Sequence, residues 1–390
     1  MAKGRKGSLI QSKLQMIIYG KQFTGKSTLA SQLAYFKRED GKPFRVLYID
    51  PESGSIDDYL EDMESNGVNL DNLYILYTQS LQEVREYIKK VKNNEDFYVL
   101  DDDGNETEEV VLDADGNPFR ADAIVVDGTS LLNVVVKQGL VDFSKKRNAV
   151  KAKAQGLVGD ERAVKVEGAG LEWKDYQTVN FKGQDLILDL AASGVHWIAT
   201  ARETTEKETI KDKDGNSVSV STGVKVPEGF KELVYNAKTV VRTYRDEKTG
   251  TIFAHVEKDR THCHEDNVVI EDPTLLDWQS IIDKSKGRKS YVIKNDLSHS
   301  VNTERKLYEK ELSAFVDDGE TEEKPEKIEA NETDKIREAI LEKMKGFSPT
   351  QKAKAKTALL EAGLSKYTPS TIKTETDVEV LTKILETISI

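Results

Sequence analysis

The chain has 390 residues, enough for two domains, and its 37% hydrophobic and 32% charged content allows one sizeable core while leaving part of the chain for tail or linker. Its 57 Lys and Arg against 69 Asp and Glu give a net charge of −12, which argues against a general nucleic-acid coat although local basic stretches can still hold phosphate. A single cysteine, Cys263, excludes an intramolecular disulfide, and the absence of any long apolar run points to a soluble, cytoplasmic chain with no membrane contact.

Residues 1–12 form a basic arm, with Gln11, Ser12 and Lys13 interrupting the apolar run that a secretory signal needs. From residue 13 to about 283, short apolar runs alternate with longer helical patterns, which predicts an α/β core with a mainly parallel sheet. Strands are predicted at 14–19, 45–49, 73–77, 123–126, 195–200, 239–243 and 252–257. Directly after the first strand comes Gly20-Lys21-Gln22-Phe23-Thr24-Gly25-Lys26-Ser27, and a helical pattern over 28–36, opened by Thr28, follows it. This spacing is that of a P-loop: the glycines let backbone N–H groups turn inward on phosphates, and the next helix points its positive end at them. Lys26 is then placed to reach the β and γ phosphates of ATP and Ser27 to ligate magnesium.

The second strand runs into Asp50-Pro51-Glu52-Ser53, which puts Glu52 at the carboxyl edge of the sheet as the candidate general base for an attacking water. Between 93 and 120 two similar units, 99–105 and 111–117, each carry Asp-Gly flanked by β-formers and read as a hairpin insertion; Asp214-Gly215-Asn216 repeats the turn. Calcium is a poor fit to these aspartates, because the glutamate an EF-hand places at its twelfth loop position is missing. Ala123-Ile124-Val125-Val126-Asp127 supplies the second magnesium carboxylate, Asp127, which can also cap the helix that starts near Gly128.

A positive excess follows over 144–165, where Lys145, Lys146, Arg147, Lys151 and Lys153 precede Asp160 and Glu161; it reads as a phosphate-binding stretch or as a solvated helix face, with Phe143 and Trp173 the nearest aromatic side chains. After the strand at 195–200 a polar stretch extends to Gly229 and contains Lys207, Lys211, Lys213 and Lys225. His262-Cys263-His264 puts two imidazoles on one face of an extended chain, yet a zinc site needs four ligands and no other cysteine exists. Residues 284–334 have linker composition, acidic in the second half, and 335–390 read as a three-helix module with apolar faces at Ile336, Ile340, Leu341 and Met344, at Ala353, Ala355, Leu359 and Leu360, and at Val378, Leu381, Ile384 and Leu385.

Over residues 13–283 the chain resembles RecA-like P-loop ATPases, above all the phage AAA-type nucleotide-binding proteins associated with single-strand annealing and recombination. The likeness is carried by the P-loop, by Tyr48-Ile49-Asp50-Pro51-Glu52, by Tyr59 seven residues on, and by 67–73 leading into the third strand. It implies that Glu52 is the catalytic glutamate and that Tyr59 lies against adenine. Thr200 and Arg202 fall where such proteins sense the γ-phosphate, although RecA has a glutamine there. The segment at 145–153 and the polar stretch before Gly229 fall where RecA-type folds carry DNA-binding loops. Lys258 and Arg260 fall where a basic pair reaches a neighbouring subunit's nucleotide, which implies a homo-oligomeric ring or filament. The C-terminal module weakly resembles helical tails of other phage recombination proteins, so a single-strand DNA-binding protein is its expected partner, in a host cytoplasm.

The resulting expectation is a Mg-ATP-dependent ATPase that binds single-stranded DNA and promotes annealing or recombination. The alternatives are a helicase or helicase-loader motor on the same core and a non-catalytic, nucleotide-gated DNA-binding scaffold. A GTPase is disfavoured because no Asn-Lys-x-Asp base-reading motif is present, and a small-molecule kinase would need neither basic loops nor a tethered tail.

Overall fold

Strands that are apolar at every position must be covered on both faces, and the first of two compact units, Met1–Thr303, is built that way. The computed structural model describes residues 13–211, 215–285, 297–316, 332–345, 347, 349–364, 372 and 378–388; the basic arm 1–12, Lys213, Asp214 and the acidic run 317–331 lie outside them. In chain order the strands are β1 (Gln15–Gly20), β2 (Val46–Asp50), β3 (Leu73–Tyr77), β4 (Tyr98–Leu100), β5 (Glu106–Val110), β6 (Ala123–Asp127), β7 (His196–Lys211), β8 (Ser217–Pro227), β9 (Thr239–Arg245), β10 (Ile252–Asp259) and β11 (Val268–Glu271). The helices of this part of the chain are α1 (Lys26–Ser31), continued by a 3-10 turn at Gln32–Tyr35, α2 (Leu60–Ser65), α3 (Leu81–Asn93), α4 (Thr129–Ala154), α5 (Gly159–Glu167), α6 (Trp173–Ala192), α7 (Glu232–Asn236), α8 (Gln279–Lys284) and α9 (Leu297–Val316).

The main sheet has the order β11-β10-β9-β1-β7-β6-β2-β3. From β9 to β3 every neighbour is parallel, and β10 and β11 close one side as antiparallel strands. Alternation along β1 divides the core in two. Met16 and Ile18 pack with Leu29, Trp278 and Ile281, while Ile17 and Tyr19 pack with Val84, Leu186 and Leu190 on the other face. Because β1, β2, β6, β7 and β9 run in one direction, Gly20, Asp50, Asp127, Arg202 and Thr243 all emerge at the same carboxyl edge.

Several elements differ from expectation. The strand predicted at 195–200 continues to Lys211 and pairs with β8 as an antiparallel ribbon, Glu203–Lys211 against Ser217–Pro227, where a long polar loop was expected. β-branched residues alternating with Lys, Glu and Ser favour extended backbone despite their polarity, and Gly215, with φ 80°, lies in the turn between the strands. α4 is unbroken from 129 to 154, so the basic residues 145–153 stand on a helix, as expected of a segment without proline. Part of the 284–334 segment expected as linker is the helix α9, which carries an Arg305–Glu309 pair one turn apart.

In the insertion, β4 and β5 form the predicted hairpin, and the Asp101 carboxylate at its turn accepts the N–H groups of Asp103 and Asn105. Asp113 does the same for Asp115 and Asn117, so both carboxylates are turned onto their own main chain. The second unit, Glu304–Ile390, contains α10 (Glu332–Lys345), α11 (Pro349–Glu361) and α12 (Val378–Thr387) around buried Ile340, Leu359, Leu364, Leu381 and Ile384. Leu360, expected on the inward face, is 65% exposed because Leu359 takes that position and its neighbour points about 100° away around the helix. The side chains of Ala353 and Val378 lie outside the described residues.

His196 fixes the opposite edge of the sheet. Its Nδ1 accepts the Leu14 N–H at 3.1 Å, so the neutral ring carries its proton on Nε2 and donates it to Ser285 Oγ at 3.0 Å, a hydroxyl that itself donates to the Ile282 carbonyl. Burial, followed by Lys13 and Lys238, pushes the imidazole pKa well below its ordinary value. The unfolded ring takes up a proton near pH 6.5 and the folded ring does not, so the stability it contributes is present above that pH and is lost as pH falls. Urea titrations should therefore give an unfolding free energy that drops between pH 7 and 5 by up to about 1.4 kcal/mol per pH unit, and His196→Asn should flatten that slope; an equal slope in the variant would refute the assignment.

Candidate active site

The P-loop closes because its first glycine has no side chain. A Cβ at Gly20 would lie 2.3 Å from the Thr243 carbonyl oxygen and under 3 Å from the hydroxyls of Thr243 and Thr24. Those hydroxyls meet at 2.8 Å, and Thr24 Oγ1 lies 2.9 Å from the Lys21 carbonyl, tying the loop to β9 and to itself. Phe23 (φ 57°) and Gly25 (φ 78°) are left-handed, which turns the chain tightly around the loop interior and leaves the Phe23 ring 85% exposed. Lys21 and Gln22 are exposed at the tip. Lys26 opens α1, and its Nζ donates to the Lys21 carbonyl at 2.6 Å across the loop. Burial draws the Lys26 pKa below its ordinary value, while the nearby Asp127 and Glu52 carboxylates oppose that shift.

Asp127 ends β6 with its side chain buried. Thr200 Oγ1 donates to Oδ1 at 2.5 Å, and Tyr48 and Ser55 donate to Oδ2 at 2.6 and 2.8 Å. Among the described residues no Lys or Arg forms an ion pair with it, and the Ser27 hydroxyl makes no hydrogen bond. A hydroxyl and a carboxylate whose charge no contacting cation neutralises are the hard oxygen donors that magnesium takes, so Ser27 and Asp127 fit that ion. Burial, followed by the neighbouring Asp127 carboxylate, pushes the Tyr48 phenol well above its ordinary pKa, so the phenol remains a donor.

Asp50 shapes the loop that carries Glu52. Its fully buried carboxylate accepts the backbone N–H groups of Glu52, Gly54 and Ser55 at 2.9, 2.8 and 2.7 Å. Glu52 thereby lies over Gly128, where an added Cβ would come within 2.9 Å of its Cγ. Its Oε1 accepts two N–H groups of Arg202, at 2.8 and 3.2 Å. Arg202 is itself held by its main chain, which donates to Ser130 Oγ and accepts from Glu228 N–H. Thr28 Oγ1 and the Tyr59 hydroxyl meet at 3.3 Å beside α1. Thr200, expected at the γ-phosphate, has its hydroxyl on Asp127, and its carbonyl accepts from Thr129 Oγ1.

Lys26, Ser27, Glu52, Asp127, Thr200 and Arg202 thus converge at one edge, and Lys258 and Arg260 do not join them. β10 runs against its neighbours, so Asp259 pairs with Thr239 and Arg260 N–H bonds the Lys238 carbonyl, level with Gln15 at the far end of β1. That is roughly 17 Å of strand from the P-loop of the same chain. Lys258 Nζ donates to the Val234 and Tyr235 carbonyls, whereas Arg260 is exposed.

The basic face of α4 is largely compensated within the chain. Arg147 makes a bidentate pair with Asp175, Lys145 pairs with Glu167 and Lys151 with Glu172. Lys146 and Lys153 are exposed and have no ion pair among the described residues. The ribbon sorts its residues by face: cross-strand register places Lys207, Thr209 and Lys211 opposite Ser221, Ser219 and Ser217, with Thr205 opposite Lys225, while Glu208 and Ile210 lie opposite Val220 and Val218 on the other side. Near its root, Glu203 binds Arg242 at 2.7 Å and Lys225 at 3.8 Å.

His264 Nε2 lies 3.0 Å from the Asp277 carbonyl with its ring edge-on to Trp278, and Cys263 Sγ meets Ser280 Oγ at 3.0 Å, so these two side chains are engaged in packing a loop while His262 is exposed. Sequence reasoning missed Tyr48 and Ser55 as Asp127 partners and Asp50 as the loop organiser. The position of Asp50 two residues before Glu52 was the one available signal.

A family model described as an AAA domain matches residues 12–266. Solved structures similar to the chain include the crystal structure of the RadB recombinase, 17% identical with a TM-score of 0.36 over 67% of this chain and 87% of that one. Another is the flagellar accessory protein FlaH from Methanocaldococcus jannaschii, 14% identical with a TM-score of 0.34 over 68% and 87% of the respective chains. No curated protein matches the chain.

Asp50→Ala removes the acceptor of three loop N–H groups. It should cost about 2 kcal/mol in thermal or urea unfolding and free the Glu52 loop, read as faster amide exchange at Glu52, Gly54 and Ser55. Protection unchanged at those amides would show that something else holds the loop.

Proposed function

The chain belongs to the AAA-domain family of P-loop nucleotide-binding proteins, and from that premise we propose that it is a Mg-ATP-dependent ATPase that binds single-stranded DNA and promotes annealing or recombination, in phage DNA metabolism. The observation that carries the enzymatic part is the convergence of Lys26, Asp127 and Glu52 at one sheet edge, close enough for both carboxylates to act on the lysine's charge. Ser27 and Asp127 would hold magnesium, which when bound neutralises phosphate charge. Lys26 leaves the Lys21 carbonyl for the β and γ phosphates and stabilises charge that builds there as the terminal phosphoryl group transfers.

Glu52 orients the attacking water and accepts its proton, which requires Oε1 to be clear of Arg202, since a carboxylate holding two guanidinium N–H groups is a poor base. Release from Glu52 would free the base and leave the Arg202 guanidinium available to the γ-phosphate. The DNA part is supported by the lysine and hydroxyl face of the ribbon, which lacks carboxylates beyond Glu203 and matches a phosphate backbone. Lys146 and Lys153 on α4 can add to it. Arg260, out of reach of its own P-loop, would serve a neighbouring copy, giving a homo-oligomeric ring or filament. The second unit would dock a single-strand DNA-binding protein.

Steady-state ATP hydrolysis should be stimulated by single-stranded DNA, fall by a factor of about 10² or more in Lys26→Ala and in Glu52→Gln, and keep nucleotide binding in the latter. Hydrolysis indifferent to DNA would sink the DNA-dependent reading. Lys207→Ala with Lys211→Ala should weaken single-strand binding and lower the slope of log affinity against log salt by about 1.4, at about 0.7 for each phosphate no longer neutralised; an unchanged slope would remove the ribbon from the interface.

A further inference from the structure

Two of the hydroxyls on Asp127 exceed what packing requires. Tyr48 stands in register with Val125, two residues before Asp127, so its ring lies on the Asp127 face of the sheet, fully buried in one apolar cluster with Val46 and Val125. A phenylalanine would fill that space, and the phenol adds a bond to Asp127 Oδ2 at 2.6 Å. Ser55 reaches the same oxygen at 2.8 Å, from a loop whose Ser55 N–H is held on Asp50. Thr200 pairs directly with Asp127 across β6 and β7 and donates to the other oxygen, Oδ1, at 2.5 Å.

A carboxylate offers about four acceptor directions, two on each oxygen. Tyr48 and Ser55 take both on Oδ2, and Thr200 takes one on Oδ1. Among the described residues no other donor reaches either oxygen, so one direction is left open, on Oδ1. A cation that approaches Asp127 therefore meets a single oxygen, and a grip by both oxygens is closed off. Ions differ in what they ask of a carboxylate. Magnesium keeps octahedral geometry and several waters and is served by one carboxylate oxygen, whereas calcium takes about six to eight oxygens and gains when a carboxylate turns both toward it.

We infer that Tyr48 and Ser55 are positioning residues that set the metal preference of the site: by occupying Oδ2 they hold Asp127 to a one-oxygen contact and so select magnesium over calcium. The inference rests on the reading of Ser27 and Asp127 as the metal residues of a nucleotide site, and adds to it the groups that decide which divalent ion is taken. Both act through Asp127, one from the strand and one from the loop beyond it.

Calorimetric titration of the full chain with the β,γ-imido analogue of ATP, with magnesium or calcium as the only divalent ion, tests it. The wild type should bind the analogue more tightly with magnesium. Tyr48→Phe keeps the ring and opens a direction on Oδ2, and it should move the magnesium-to-calcium affinity ratio toward calcium by about tenfold. Ser55→Ala, at a half-buried loop position whose main chain stays on Asp50, opens the same oxygen and should move the ratio the same way, which keeps the test in hand if Tyr48→Phe does not fold. Ser55→Thr retains a hydroxyl and should retain the wild-type ratio. A side chain that only supported the fold would change binding equally with both ions, so an unchanged ratio in either folded hydroxyl-deleting variant would overturn the assignment, as would equal affinity with the two ions in the wild type. Failure of the wild type to bind the analogue with either ion would instead overturn the nucleotide reading, and this inference with it.

Discussion

A buried carboxylate is costly unless its oxygens are occupied, and Asp127 meets that constraint with hydroxyls drawn from three places. Tyr48 comes from β2, Ser55 from the loop beyond it and Thr200 from β7, so the requirement of one side chain aligns the ends of neighbouring strands. The loop beyond β2 is pinned twice, by Ser55 on Asp127 and by three N–H groups on Asp50, and the position of Glu52 follows from both. Because hydroxyls satisfy the oxygens without cancelling the charge, the edge keeps a negative focus beside the Lys26 ammonium. That balance is what a site for a metal-bound polyphosphate requires.

Much of this was legible in the sequence because it is local. Gly20, Gly25, Lys26 and Ser27 act through backbone geometry within eight residues, and the apolar runs of β1, β2 and β6 state their own burial. Partnerships between distant segments were not legible. Arg147 and Asp175 are 28 residues apart, and only the packing of α4 against α6 reveals that the pair removes a cation from the basic stretch. The ribbon was hidden for a different reason: its residues are polar, and polarity suggests a loop although alternation is present throughout. Leu360 illustrates a limit of face assignment, since adjacent leucines cannot both point inward from one helix.

The distribution of charge gives the fold a polarity that the net charge conceals. α4 offers its positive residues mostly to Glu167, Glu172 and Asp175, while Lys207 and Lys211 stand on a narrow ribbon whose carboxylates Glu206 and Glu208 lie on the opposite face or beyond the bulge. A cationic strip on a chain of net negative charge favours oriented approach of a polyanion over general adhesion.

The hydrogen bond between Lys26 and the Lys21 carbonyl has a consequence for what the loop will accept. The Lys21 carbonyl of the same loop acts as a tethered competitor, present at high effective concentration, for the position an anion would take. Any ligand must offset the free energy of breaking that bond before it gains anything, so apparent affinity is reduced by the fraction of molecules in which the lysine is already released. A lone inorganic phosphate offsets little of it, because it reaches only one end of the loop. A polyphosphate that engages the lysine and the start of α1 together offsets more of it, which makes the loop a filter for chain length among phosphates.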